Sequence, residues 1–299
     1  MQQELDTLAD ENRLQHVWST EAFSALTKPG ELWALKKGIT KREDVSGIEK
    51  VQLGNVFQEP IMRAFAGRKN LSFDAADYTM YHPKVAMASH FDYISEDRQT
   101  LYEVKNLGIQ QKKHYGEDGS DHIHPRYRAQ CLHEAACHGL RNVVLVACFG
   151  GETIQHFPLT FSEDEIDGHV QAMARFWATV VEDVRPEDLP EEAVRALFPT
   201  SRAATVIATE NIRKASNALV LVKDQIKQLE DRESELRNMI VSYMQANDTL
   251  ADIDGSVIAT FKSAKASKKF NMDRFKTENP GAYEAYLEET QGSRRFLLK

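Results

Sequence analysis

The sequence predicts a mixed α/β fold, a central sheet flanked by helices, followed by a helical C-terminal extension. Three observations predict it. Asn142 to Cys148 is an unbroken apolar run, as expected for a strand covered on both faces. Helical periodicity flanks this run, from Pro125 to Gly139 and from Glu163 to Val184. Further on, Ile212, Ala215, Leu219, Val222, Ile226, Leu229, Glu233, Leu236, Ile240 and Tyr243 alternate three and four apart, a heptad pattern whose one flaw is Glu233.

From Gln3 to Ala25 the pattern is helical, with Leu14, Val17 and Trp18 on one face and Leu8 less regular, and Pro29-Gly30 breaks it. A second helix runs from Glu31 to Lys37 and stops at Gly38. Asp44 to Ala66 is a long helix whose apolar positions include Ile48, Val51, Ile61, Met62 and Phe65. Within it Pro60 removes a hydrogen bond, and the resulting kink can turn the preceding carboxylate, Glu59, towards the sheet, although on its own such a glutamate more often stays exposed on the helix. Strand-like segments at Leu71 to Phe73, Thr79 to His82 and Lys84 to Ser89 lead into Ala88 to Lys105, which has the pattern of a β-hairpin turning at Ser95 to Gln99.

A polar loop with His122 and His124, both open to metal binding, precedes the helix at Pro125. That helix sets Tyr127, Gln130 and Glu134 on neighbouring turns of one face. His133, Glu134 and His138 are spaced one residue too far for the paired histidines of a zinc protease. Thr153 to Leu159 pairs with the apolar strand, and Val184 to Pro199, proline-rich and acidic, has the composition of a linker. The expected organisation is an N-terminal domain over 1–184, a linker over 185–204 and a helical region over 205–299 with a strand at Val257 to Lys262 and a basic tail.

Composition narrows the class. With 299 residues and 42% hydrophobic content the chain can bury a proper core, and a net charge of -8 argues against a generally sticky nucleic-acid binder. Local basic patches remain, at Lys36 to Lys50 and at Lys262 to Lys269. Cys131, Cys137 and Cys148 lack metal-site or disulfide spacing, and the N-terminus carries no apolar leader, so a cytoplasmic protein with no membrane partner is expected. No glycine-rich phosphate loop occurs, which argues against a nucleotide-driven motor.

The chemistry concentrates in the hairpin. On a strand, Glu103 and Lys105 point one way while Tyr102 and Val104 point the other. Asp92 on the partner strand can lie across from Glu103, so two carboxylates converge beside an ammonium. Two such oxygen donors suit Mg²⁺ or Mn²⁺, and a lysine beside them can steady a developing anion. The same alternation of charges also suits a solvated strand face.

The order of the parts resembles the PD-(D/E)XK nuclease superfamily and, more narrowly, the YqaJ-type viral recombinase family that includes lambda-type exonucleases. Glu31-Leu32-Trp33 with Lys37-Gly38 is similar to its E-L-W…K-x-G opening, and Gly54…Glu59-Pro60 to its G…E-P helix. Asp92 stands where the family has S-P-D-G, Glu103-Val104-Lys105 matches E-[VI]-K, and Tyr127…Gln130 matches Y…Q. Lys262 and Gly292-Ser293-Arg294-Arg295-Phe296 look like the end of such proteins. The resemblance covers about Glu31 to Val180. It departs at Ser89-His90-Phe91-Asp92-Tyr93, which lacks the proline and glycine, and in having no R-x-T-A-S motif.

The resemblance implies a PD-(D/E)XK core and a Mg²⁺-dependent exonuclease of phage-type recombination, acting 5′ to 3′ on double-stranded DNA ends. Glu59, Asp92, Glu103 and the Val104 carbonyl would hold the metal, Lys105 would orient the attacking water, and Gln130 would position that water or a terminal phosphate. It also implies a ring-shaped homo-oligomer and a single-strand annealing protein as partner. The competing expectations are an endonuclease or repair nuclease of the same superfamily, and a DNA-binding scaffold with a decayed site built on the heptad helix.

Overall fold

The computed structural model describes residues 12–76, 78–289, 292 and 294–298. The chain divides into two compact units, Met1–Pro199 and Thr200–Lys299.

The first unit begins with β1 (Val17–Trp18), α1 (Ala22–Thr27), α2 (Pro29–Lys36) and α3 (Glu49–Lys69). Five strands follow: β2 (Phe73–Ala75), β3 (Thr79–Tyr81), β4 (Met87–His90), β5 (Tyr93–Ser95) and β6 (Thr100–Leu107). Then come α4 (Pro125–His138), β7 (Asn142–Phe149), β8 (Thr153–Thr160), α5 (Glu163–Val181) and α6 (Glu191–Leu197). The main sheet has the order β2-β5-β6-β7-β8, and a second sheet has the order β1-β4-β3. The expected mixed sheet flanked by helices is therefore present.

Only β6 and β7 are parallel in the main sheet, in register from Thr100↔Asn142 to Leu107↔Phe149. A parallel pair needs a long crossover, and α4 supplies it. The pleat sends alternate β6 residues to opposite faces. Tyr102 and Val104 join Ile61, Met62 and Phe65 of α3 in one core, while Leu101 joins Cys131 and Ala135 of α4 in the other. Glu103 and Lys105 share the face of Leu101, so their side chains lie between the sheet and α4.

Two local expectations are corrected. Within the described residues the helix expected from Gln3 to Ala25 is interrupted by β1, which pairs in parallel with β4 through Val17↔Met87; Gln3 and Leu8 lie outside the described residues. Val17 is fully buried, and a β-branched residue paired across the chain outweighs local helical spacing. The expected hairpin from Ala88 to Lys105 is divided between two sheets. β4 belongs to the second sheet, and β5 alone pairs with β6, through Tyr93↔Tyr102 and Ile94↔Leu101. Asp92 sits at the crossing point.

The stretch 185–199 carries α6, whose Ala193 is buried in a core with Trp33 and Phe176. Asp188 Oδ1 accepts the Gly30 N–H at 2.9 Å, which clasps this stretch to α2.

The second unit consists of α7 (Glu210–Met244), a hairpin of β9 (Thr249–Ala251) and β10 (Val257–Thr260), α8 (Met272–Glu278) and α9 (Pro280–Ala285). No helix among the described residues is long and apolar enough to cross a membrane.

Candidate active site

Asp92 is aimed by the residue before it. Phe91 is fully buried and meets Tyr78 and His138 edge-on, with ring centroids 5.4 and 5.1 Å away. The Asp92 carbonyl accepts the Ala76 N–H at 3.1 Å. A large aromatic anchor and one backbone bond thus hold the turn where the resembling family has proline and glycine. Asp92 Oδ2 then accepts the Val104 N–H at 2.8 Å, and Oδ1 accepts Gln58 Nε2 at 3.1 Å.

The β5–β6 ladder stops at Tyr93, so Val104 has no strand partner on that edge and the Asp92 carboxylate takes its N–H. In an extended strand the N–H and C=O of one residue leave by the same edge, which places the Val104 carbonyl on the Asp92 side.

Glu103 is buried. Its Oε1 accepts Gln130 Nε2 at 2.5 Å and pairs with the Lys105 ammonium. The same Gln130 amide donates to Glu134 Oε1 at 2.9 Å, an i,i+4 contact along α4. Lys105 also lies over the Tyr127 ring, 5.7 Å from its centroid. The structure therefore brings together Asp92, Glu103, Lys105 and Gln130. It adds two residues that sequence reasoning did not place there, Gln58 and Glu134. Glu134 carried a usable signal, one helical turn beyond Gln130, whereas Gln58 carried none beyond its place beside Glu59.

Glu59 lies elsewhere. Its carboxylate is exposed and holds Arg63 one turn on, with Nε at 2.8 Å. The helix runs on through Pro60 to Lys69, and Gln58, one residue earlier on the wheel, faces Asp92 instead. His124 accepts the Arg126 N–H at the start of α4, and His133 is buried against His169, 3.0 Å away.

Crowding of carboxyl groups dominates the electrostatics. Burial, and then the negative charge of Glu103, push the Asp92 carboxyl up to about 7 against the opposing pull of Lys105 and the Val104 N–H. Burial and Glu103 likewise push the Glu134 carboxyl well up. Burial alone would lower the Lys105 ammonium, but Glu103 and Asp92 override it and hold it above its ordinary value. Glu103 Oε2 and Glu134 Oε2 are buried without a hydrogen-bond partner among the described residues.

Buried, unpartnered carboxyl oxygens are costly, and protonation or a bound divalent cation can relieve them. Among the described residues no three His, Cys, Asp or Glu side chains form a ready cation cluster. The donor set on offer is two carboxylates, Asp92 and Glu103, with the Val104 carbonyl. That all-oxygen set fits a hard cation that keeps several of its waters, as Mg²⁺ does.

Residues 13–141 match the family model of the YqaJ-like viral recombinase domain, which bears out the resemblance over that span and extends it upstream of Glu31. No curated protein matches the sequence. Among solved structures, the chain is similar to an alkaline exonuclease from Laribacter hongkongensis, with 16% identity over 57% of this chain and 90% of that one and a TM-score of 0.46. It is also similar to a phage-related exonuclease from Haemophilus somnus 129PT, with 10% identity over 57% of this chain and 98% of that one and a TM-score of 0.45.

Proposed function

We propose that the chain is a divalent-metal-dependent nuclease that hydrolyses phosphodiesters from the ends of double-stranded DNA, in phage-type recombination. The observation that carries this reading is the convergence of Asp92, Glu103, Lys105 and Gln130 around a buried, unpartnered Glu103 oxygen. The family match over residues 13–141 supports it.

Asp92, Glu103 and the Val104 carbonyl would hold Mg²⁺ or Mn²⁺, which when bound supplies Lewis-acid activation of water and of the scissile phosphate. The remaining chemistry belongs to the side chains. Lys105, kept protonated by the two carboxylates, places a positive charge where the phosphorane-like transition state gathers negative charge. Gln130 holds Glu103 Oε1 in place, and its amide is steadied from behind by Glu134. Gln58 and the Val104 N–H fix both oxygens of Asp92. Glu103 and Lys105 thus stand on β6 and Gln130 on α4, while Asp92, in the turn between β4 and β5, is fixed to β6 and α3 by its hydrogen bonds.

Digestion from 5′ to 3′, a ring-shaped homo-oligomer around the duplex, and a single-strand annealing partner follow from the resemblance. The test is incubation of the protein with end-labelled linear duplex and with covalently closed circular duplex, with Mg²⁺ or with chelator. Loss of linear DNA alone, and only with metal, is expected. Cutting of the circle would assign an endonuclease, and no cleavage of either would leave a DNA-binding scaffold.

A further inference from the structure

The longest helix of the chain lies outside this chemistry. α7 has 35 residues, which at 1.5 Å rise each gives about 52 Å. Most of its heptad stripe is exposed: Ile226 is 49% exposed, Leu229 70% and Tyr243 77%, Leu219 is half-buried, and within the helix only Met244 at its end is buried. A long helix with an apolar seam and no cover is the signature of a coiled coil waiting for its partner.

We propose that α7 docks a second copy of this chain, as an antiparallel coiled coil centred near Ile226. With Ile212, Leu219, Ile226, Glu233 and Ile240 at the a positions, the d positions are Ala215, Val222, Leu229, Leu236 and Tyr243. The e positions then include Lys223, Glu230 and Arg237, and the g positions include Gln225 and Arg232.

In a parallel pair, a faces a and each g faces the e of the next heptad. Glu233 would then be buried against its own copy, and Arg232 would face Arg237. No g–e pair would be oppositely charged. In an antiparallel pair, a faces d and e faces e. Glu233 then lies opposite an apolar d residue, and Lys223 of each copy faces Glu230 of the other.

The intrachain ion pairs agree with that choice. Within each helix Arg232 is tied to Glu235 and Arg237 to Glu233, while Lys223 and Glu230 make no ion pair among the described residues and are left to reach across. Charge at the flanking positions sets orientation in such pairs, by attraction in one arrangement and repulsion in the other. Glu233 stops being a flaw in the pattern and becomes the residue that rejects the parallel arrangement.

Sedimentation equilibrium of the full chain tests the pairing. The parent is expected to contain an even number of chains, and Ile226→Asp with Leu229→Asp to halve its mass. Both side chains are exposed within the chain, so helicity by circular dichroism should not change. Lys223→Glu alone should weaken association about tenfold, and adding Glu230→Lys should restore it.

Orientation is read by a spin label at Arg213→Cys. An antiparallel pair centred near Ile226 separates the two labels by about 40 Å, whereas a parallel pair holds them within about 20 Å. A monomeric parent, a mass unchanged by the double aspartate variant, failure of the charge swap to restore association, or a short label distance would each overturn the assignment.

Discussion

Asp92 Oδ2 accepts the Val104 N–H at 2.8 Å, and this bond joins the crossing point of the two sheets to the strand that carries Glu103 and Lys105. The carboxylate caps a backbone edge that its own ladder leaves open. It does so close to Glu103, at an electrostatic cost that appears in its titration.

The folded protein keeps the Asp92 proton up to about pH 7, while the unfolded chain releases it near the ordinary carboxylate value. Between those values the folded state binds more protons, so this group's contribution falls as pH rises from about 4 through 7. In metal-free buffer Asp92→Asn should therefore be more stable than the parent at pH 8 by about 1–3 kcal/mol. The gap should close towards pH 4. Denaturant melts at the two pH values check this, and a gap independent of pH would count against it. Added Mg²⁺ at pH 8 should raise the melting temperature of the parent and not of the variant.

Glu134 is predicted to act through Gln130. Glu134→Ala removes the second acceptor of the Gln130 amide and should slow duplex hydrolysis about ten- to hundredfold, as loss of an outer supporting contact does elsewhere. Glu134→Gln keeps an acceptor oxygen and should stay near the parental rate. Equal rates for the alanine variant and the parent would remove Glu134 from the site.

Much of this site is visible in the residues themselves. Alternation along β6 separates Glu103 and Lys105 from Tyr102 and Val104 because both faces of that strand are packed, and helical spacing puts Gln130 and Glu134 on one face of α4. The crossing at Asp92 is not visible. A run of pleated residues shows which face each side chain takes but not which sheet it joins, and only the burial of Phe91 decides that.

β1 is hidden for a related reason, being two residues long and paired with Met87 far along the chain. The exchange of Glu59 for Gln58 turns on one residue's rotation about α3, finer than periodicity resolves.

Acid should weaken the fold through the core pair of His133 and His169. Burial pushes His169 down to about 4, whereas the unfolded chain takes its proton near 6.5. Below 6.5 the unfolded state binds more protons, so stability present at pH 7 is lost as pH falls towards 4, by about 2–3 kcal/mol from this group. Urea melts at pH 7 and pH 4 should show a smaller loss for His169→Asn than for the parent. An equal loss would place the acid sensitivity elsewhere.

Gly30 should accept no side chain. A Cβ there would come within 2.5 Å of the Asp188 carbonyl oxygen, a backbone atom with no rotamer to yield. Gly30→Ala should cost about 1–3 kcal/mol by overpacking, read as a lower thermal midpoint. An unchanged midpoint would mean that the clasp between α2 and the segment before α6 is loose.

The most direct test of the nuclease reading is the single-turnover rate of Lys105→Ala on end-labelled linear duplex with saturating Mg²⁺, alongside circular dichroism to confirm the fold. A folded variant slowed by at least about a hundredfold is predicted, in line with the loss of one charge-stabilising group from a transition state. A folded variant that degrades the duplex as fast as the parent would contradict the assignment of this site.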